Sequence, residues 1–290
     1  MVRAIRVFFV LLLSGCSTAE SRVDSTSDRA IQNIFECADS RSCEFKDFSE
    51  LEGQFFNLNG SHLVGADLSK SDFAGASFVG AELTDASLTQ SVFVNANLSG
   101  ANLTSANLSE SNFSNVNLTG ANLFRADLTA AKFADANFFA ADLNESQAEQ
   151  TNFTRGKFEG VSMSRANFAG AIFEDAYLTS AKCSNTDFSG ANLRRANLVS
   201  ADLFAAVLIN TNLPNADLTG ATLRDAQLRT ADLTGANLTD ADLRSADLSG
   251  ARLRRANLTG ANLSGANLSG ADLLGATLAR TVLPDGTVSP

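Results

Sequence analysis

Residues that carry chemistry are scarce in this chain. Its 290 residues include one histidine, His62, one tyrosine, Tyr177, and four cysteines. A single imidazole with no companion ligands at metal-binding spacing excludes a histidine-based metal centre. No nucleophile stands near a base in a recognisable constellation, so neither a catalytic site nor a cofactor is expected. Long apolar runs are also missing: the run from Val7 to Leu13 is far too short to cross a membrane as a helix. Positive charge is in deficit, with 22 basic against 32 acidic residues and a net charge of −10. Such a surface disfavours nucleic acid as a direct ligand.

What the chain has instead is a period of five. From Leu58 to Leu283, stepping by five, nearly every position is Leu or Phe, and two residues earlier sits Ala, Ser or Thr. Asn or Asp most often lies between them. Internal repeats override element-by-element assignment and are read first. An unbroken five fits neither the three-and-four spacing of a helix nor the alternation of a simple strand. The chain must therefore turn at regular intervals. If the Leu or Phe and the small residue before it both point inward, as alternate residues of an extended segment do, the other residues of the pentad form a corner.

Phenylalanine gives the number of corners. Phe73, Phe93, Phe113, Phe133, Phe153 and Phe173 recur every twenty residues, as rings stacked on rings in successive coils would. Twenty residues make four pentads per coil. At the inter-strand spacing of about 4.8 Å the body is a rod about 55 Å long. Stability then depends on neighbouring coils, and the two ends need caps.

The units Ala96 to Gly100, Ala261 to Gly265 and Ala266 to Gly270, each reading Ala-Asn-Leu-Ser-Gly, resemble the pentapeptide repeat family over about four fifths of the chain. The resemblance implies an all-β fold, a right-handed quadrilateral β-helix with the central Leu or Phe and the small residue inside. It implies no function by itself. Ala148, Met163 and Cys183 depart from Leu or Phe at central positions, and Cys183 reads as a small buried hydrophobe. Cys43 and Gly53 are in phase but carry poor repeat chemistry, so the first well-formed coil is expected near Leu58.

Residues 1–15 have the layout of a secretory signal: Arg3 and Arg6, the apolar run, then Leu13-Ser14-Gly15-Cys16. That ending resembles the bacterial lipobox, which implies cleavage before Cys16 and a diacylglycerol on its sulfur. The chain is thereby expected in the cell envelope as a lipid-anchored membrane protein. Ser17 fits the outer membrane if the cell has two. Cleavage leaves 20 basic against 32 acidic residues, a net charge of −12. Residues 16–27 read as a lipidated cysteine and flexible tether. Residues 28–40 are expected to form a short N-terminal capping helix, with Ile31, Ile34, Phe35 and Ala38 on one face. Residues 41–284 form the repeat body and 285–290 a tail. In an oxidising compartment Cys37 and Cys43 are natural disulfide partners. No comparable lid follows Pro284. The C-terminal coil end is closed either by the tail or by self-association, a homodimer that the family resemblance allows.

On the outside, a twenty-residue coil stacks Asp135, Arg155, Asp175 and Arg195 in one column, Arg125, Glu145 and Arg165 in a second, and Asp232, Arg252 and Asp272 in a third. Alternating signs about 5 Å apart suit ion pairs between neighbouring coils. Arg194, Arg195, Arg254 and Arg255 gather near one edge and are the candidate interaction surface for a protein partner whose identity is not readable. Phe124, Phe139 and Phe204 follow central positions and are expected to face outward, and Tyr177 occupies an outward Asn/Asp position. The leading functional expectation is a membrane-tethered, non-enzymatic spacer or interaction scaffold. The alternative, implied by the family resemblance, is a DNA mimic that binds type II topoisomerases such as gyrase and protects against quinolones. The export signal and the interleaved arginines weigh against it.

Overall fold

The structure, a computed structural model, describes Ile34, Cys43, Glu44 and residues 46–290. The signal segment, the tether, Cys37 and most of the expected helix over 28–40 lie outside the described residues. Ile34 is helical in conformation and fully buried with the first coil.

Each pentad makes one side of a coil. Taking Ala66 as position 1 and Lys70 as position 5, positions 1 and 3 are buried in every pentad from Ser61 to Leu263. Position 2 faces outward and bridges the coils. Its N–H donates to the position-1 carbonyl one coil earlier, and the position-3 N–H donates to the position-2 carbonyl one coil later. Asn117 N to Ala96 O, at 3.0 Å, and Leu98 N to Asn117 O, at 2.7 Å, are an example. These parallel bridges all join residues twenty apart, from Asp47–Asp67 to Asn262–Val282. Four corners therefore close each coil.

The corner is a β-turn in which the N–H of the next position 1 returns to the position-3 carbonyl, as Ala66 N does to Leu63 O at 3.1 Å. Its third residue, position 5, has positive φ, the requirement of a type II turn that glycine meets best. Among the described residues 31 that are not glycine accept it, including Arg155 at 56° and Thr230 at 56°. The ladder, not glycine, imposes the conformation. Where position 2 is Asn or Asp it supports the corner: its Oδ1 accepts the N–H two residues on, as Asn97 does from Ser99 at 3.1 Å. This is the local bond for which short Asx side chains are suited. Asn117 also donates to Asn97 Oδ1 across the coils at 3.1 Å.

Inside, the phenylalanine column forms as the spacing predicts. Successive ring centroids from Phe73 to Phe173 lie 5.2, 4.7, 5.0, 5.5 and 4.8 Å apart. Hydroxyls at position 1 find carbonyls: Ser61 donates to Leu58 O at 2.7 Å, and Thr151 and Thr211 to Leu128 O and Phe188 O one coil earlier at 2.6 and 2.8 Å. Ser146 Oγ is the exception, buried and without a partner, two residues before Ala148.

The regular stack begins at Asp47, earlier than the expected start near Leu58. The inner roles are exchanged there. Large side chains, Leu51 and Phe56, take position 1, and Gly53 takes position 3. A Cβ on Gly53 would overlap the Phe73 ring from the coil above. Large residues at position 1 with glycine at position 3 reverse the usual order of sizes, which hides the repeat in the sequence. At the other end the tail folds back. Val288 pairs antiparallel with Val282, Leu283 N donates to Thr287 O at 2.7 Å, and Ser289 N donates to Thr281 O at 2.8 Å. It covers one side of the last coil.

Candidate interaction surfaces

Because residues twenty apart stack at one corner, the sequence can write charge ladders up the rod. Arg155 donates to both oxygens of Asp135, Nε at 2.7 Å and Nη2 at 2.6 Å. Arg195 does the same to Asp175 at 2.7 Å for each bond and reaches Glu174 at 2.9 Å. Glu145 lies between Arg125, 2.8 Å away, and Arg165, 3.6 Å away. The hydrogen bonds from Arg155 and Arg195 hold the Asp135 and Asp175 carboxyls below their ordinary range, against a smaller opposing effect of desolvation. Bidentate geometry makes these the stronger kind of exposed pair.

The third expected column departs from the plan. Arg252 lies 4.0 Å from Asp232, at the limit of an ion pair, while Asp272 is taken by Arg254 at 2.6 Å. Arg254 reaches diagonally across the corner, which column stacking alone does not reveal. The four candidate arginines therefore divide. Arg194 and Arg254 share one column three coils apart, and Arg195 and Arg255 the adjoining one. Arg195 and Arg254 are held in ion pairs, whereas Arg194 and Arg255 make none among the described residues. The structure does not assemble all four into one free basic site.

Other singled-out residues fall where their phase puts them. His62 is half-exposed on an outward rung and Tyr177 is 47 % exposed. Phe139 and Phe204 are exposed, and Phe124 is half-buried with the Arg125 guanidinium 4.8 Å from its ring. Cys43 and Cys183 are buried. Burial, aided by the nearby Asp202 carboxylate, pushes the Cys183 thiol far up, which leaves it unreactive. Asn210, Asn212, Thr230, Asp232, Gly250 and Arg252 line an open depression of about 420 Å³ on one side of the rod. No group of three or more His, Cys, Asp or Glu among the described residues is arranged to hold a metal ion.

The C-terminal coil end is a different kind of surface. Elsewhere each position-3 N–H is bonded to the next coil, but those of Leu268, Leu273 and Leu278 have no backbone acceptor among the described residues. Their side chains are only partly buried against the core, and Leu274 beside them is 67 % exposed. The tail leaves three of the four sides uncovered. An open row of donors over exposed core is a template for pairing with another chain.

The repeat geometry and the sequence profile agree on kinship. The profile of pentapeptide repeats matches overlapping segments that together span residues 57–275. The chain belongs to the pentapeptide repeat family. The matched span omits the exchanged first coil and the tail, the two places where pentapeptide repeat chemistry is least regular. Among solved members, HetL, involved in heterocyst differentiation regulation in the cyanobacterium Nostoc, is 30 % identical over 89 % of this chain and 98 % of its own, with a TM-score of 0.36. QnrB1, a plasmid-mediated fluoroquinolone resistance protein, is 17 % identical over 67 % of this chain and 88 % of its own, with a TM-score of 0.38. A pentapeptide repeat protein of the Arabidopsis thaliana thylakoid lumen is 27 % identical over 38 % of this chain and 68 % of its own, with a TM-score of 0.14. No curated protein matches the chain. No helix among the described residues is long and apolar enough to cross a membrane.

Proposed function

We propose that the chain is a non-enzymatic, lipid-anchored protein of the cell envelope. Its right-handed coil acts as a rigid spacer and protein-interaction scaffold held to the membrane through Cys16. The observation that carries the scaffold reading is the unbroken stack of bridges from Asp47 to Val282 around a filled core. All side-chain variety is thereby displayed outward on a stiff support, the property that makes solenoids binding surfaces. The lipobox-like Leu13-Ser14-Gly15-Cys16 supports the tether and export, to the outer membrane where the cell has two. A Cys37–Cys43 disulfide would fasten the segment before the first coil. The open C-terminal end favours a homodimer, two copies meeting through Leu268, Leu273, Leu278 and Leu274.

Labelling cells with a radioactive fatty acid and fractionating them tests the tether. Membrane-bound label that disappears in Cys16→Ala is expected, and an unlabelled cytosolic product would overturn the reading. Sedimentation of the purified chain tests the dimer: Leu274→Asp with Leu278→Asp is expected to yield monomer. The DNA-mimic alternative gains no support from the charge pattern, because Asp135, Asp175, Asp242 and Asp272 are each engaged by an arginine. Inhibition of gyrase supercoiling by the chain would revive it.

A further inference from the structure

Position 2 is where Asn or Asp supports the corner that follows. Between Gln147 and Lys182 six of eight such positions abandon Asx, and four of the six carry long or apolar side chains: Lys157, Ile172, Tyr177 and Lys182. Lys132 precedes them by one coil and one side. Lys and Ile have no acceptor, and Tyr177 makes no such bond among the described residues, so these corners lack the turn N–H bond that Asn137 accepts from Phe139 at 3.0 Å and Asn152 from Thr154 at 3.0 Å. The band therefore gives up a local stabilising bond at several corners together.

What replaces the Asx residues is exposed. Ile172 is 36 %, Tyr177 47 % and neighbouring Phe139 54 % exposed, and the three lysines are exposed too. Lys132, Lys157 and Lys182 are spaced by 25 residues, so each step climbs one coil and turns one side. They trace a diagonal around the rod. Most of the described arginines are paired with carboxylates, but these three lysines make no ion pair among the described residues. Lys157 bridges directly to Tyr177 on the next coil, about 4.8 Å away.

We propose that this diagonal band is a docking surface for an extended, acidic polypeptide segment in which carboxylates alternate with apolar side chains. The unpaired lysines supply the positive groups, with the Glu159 carboxylate as a like charge at the corner between Lys157 and Lys182, and charge complementarity sets partner choice and encounter rate. Ile172, Tyr177 and Phe139 supply the apolar contact for which a purely polyanionic strand has no use. A slender partner suits a convex rod because it can follow the diagonal across a corner where a globular face cannot.

The test uses the full chain and a fluorescein-labelled synthetic peptide of alternating Glu and Leu. Counterparts with Lys for Glu, and with Ser for Leu, serve as controls together with single-stranded DNA. Saturable binding of the Glu–Leu peptide that weakens with salt is expected. It should fall at least tenfold in Lys157→Asn/Tyr177→Asn/Lys182→Asn and persist in Lys157→Arg/Lys182→Arg. The Asn variant restores three corner bonds, so its melting temperature should be unchanged or higher. Lack of saturable binding, equal binding of the Glu–Ser peptide or of DNA, or undiminished binding by the Asn variant would overturn the proposal. A lowered melting temperature in that variant would assign the band to stability instead. The outcome is independent of Cys16 lipidation, so the two readings fail separately.

Discussion

The rod has two interiors built on one backbone. From Phe73 to Phe188 the central positions mix Phe, Leu, Met, Cys and Ala, whereas from Leu193 to Leu283 every central position is Leu. The small positions follow suit, with Ser, Thr, Val and Gly scattered through the first section and little but Ala in the second. Both sections bury these residues completely as far as Leu263, so the coil does not demand a particular residue at a particular side. It demands a volume. Phe153 and Phe158 share their coil with Ala148 and Gly156, and a Cβ on Gly156 would overlap the Phe158 ring. Phe188 shares its coil with Cys183. Large and small offset each other within a coil, as cores of conserved total volume allow.

The sections differ in how well they define their own alignment. A uniform leucine core offers the same fit after any shift by one pentad, the degeneracy that weakens uniformly packed designs. The stacked rings of the first section lose their partners on such a shift. The varied section is thus the one that fixes register, and the leucine section propagates it.

The largest blow to either interior is charge. Leu198→Lys places an ammonium where nothing can pair with it, and loss of the cooperative unfolding transition for the leucine section is expected by circular dichroism. Asp175→Ala, on the outside of a neighbouring coil, should leave that transition nearly in place. Equal losses from the two would contradict the inward and outward assignment. Next, Phe113→Ala removes a ring between Phe93 and Phe133 and should destabilise by about 3–5 kcal/mol, towards the upper end, against about 2–5 kcal/mol for Leu228→Ala, towards the lower end. Urea unfolding read by hydrogen exchange in each section separates them, and a reversed order would deny the rings their special weight. Ala148→Leu sharpens the volume rule: about 1–3 kcal/mol of overpacking is expected, partly relieved by adding Phe158→Leu. If the double variant is no better than the single one, volume is not shared within the coil. The smallest effect is on acid titration. Asp135 and Asp175 have lowered pKa values in the folded state. Their contribution is therefore present above the ordinary carboxylate value of 3.8 and is lost as pH falls through the folded value. Carboxyl NMR titration should show both below that value, with Asp175 returning towards it in Arg195→Ala.

Most of the body was legible because its determinants are local and repeated. Leu and Phe at every fifth residue, and Phe at every twentieth, contain the inward face, the corner and the coil length. Gly53 and Phe56 were illegible because the first coil exchanges the large and small inward positions, and the repeat is recognised by residue type at each position. The preference of Asp272 for Arg254 over Arg252 escaped because both are one coil away and only side-chain reach decides. The band around Lys157 and Tyr177 left a signal not in the loss of Asx alone, which Ser77, Glu82, Ser87 and Val92 share, but in its replacement by Lys, Ile and Tyr. Its meaning emerged once the Asx side chains were seen to support the corners. The open C-terminal edge follows from where the tail lies, which no repeat encodes.

The coil-to-coil hydrogen bonds run along the rod axis, and each coil is bonded only to the two beside it. A pull between the two ends therefore loads one ring of bonds at a time. The molecule should lengthen in near-equal steps, each releasing twenty residues, about 65–70 Å of extended chain. Under tension such a rod behaves less like a strut that snaps than like a ratchet that pays out line, with the leucine section giving even steps and the phenylalanine section resisting longest.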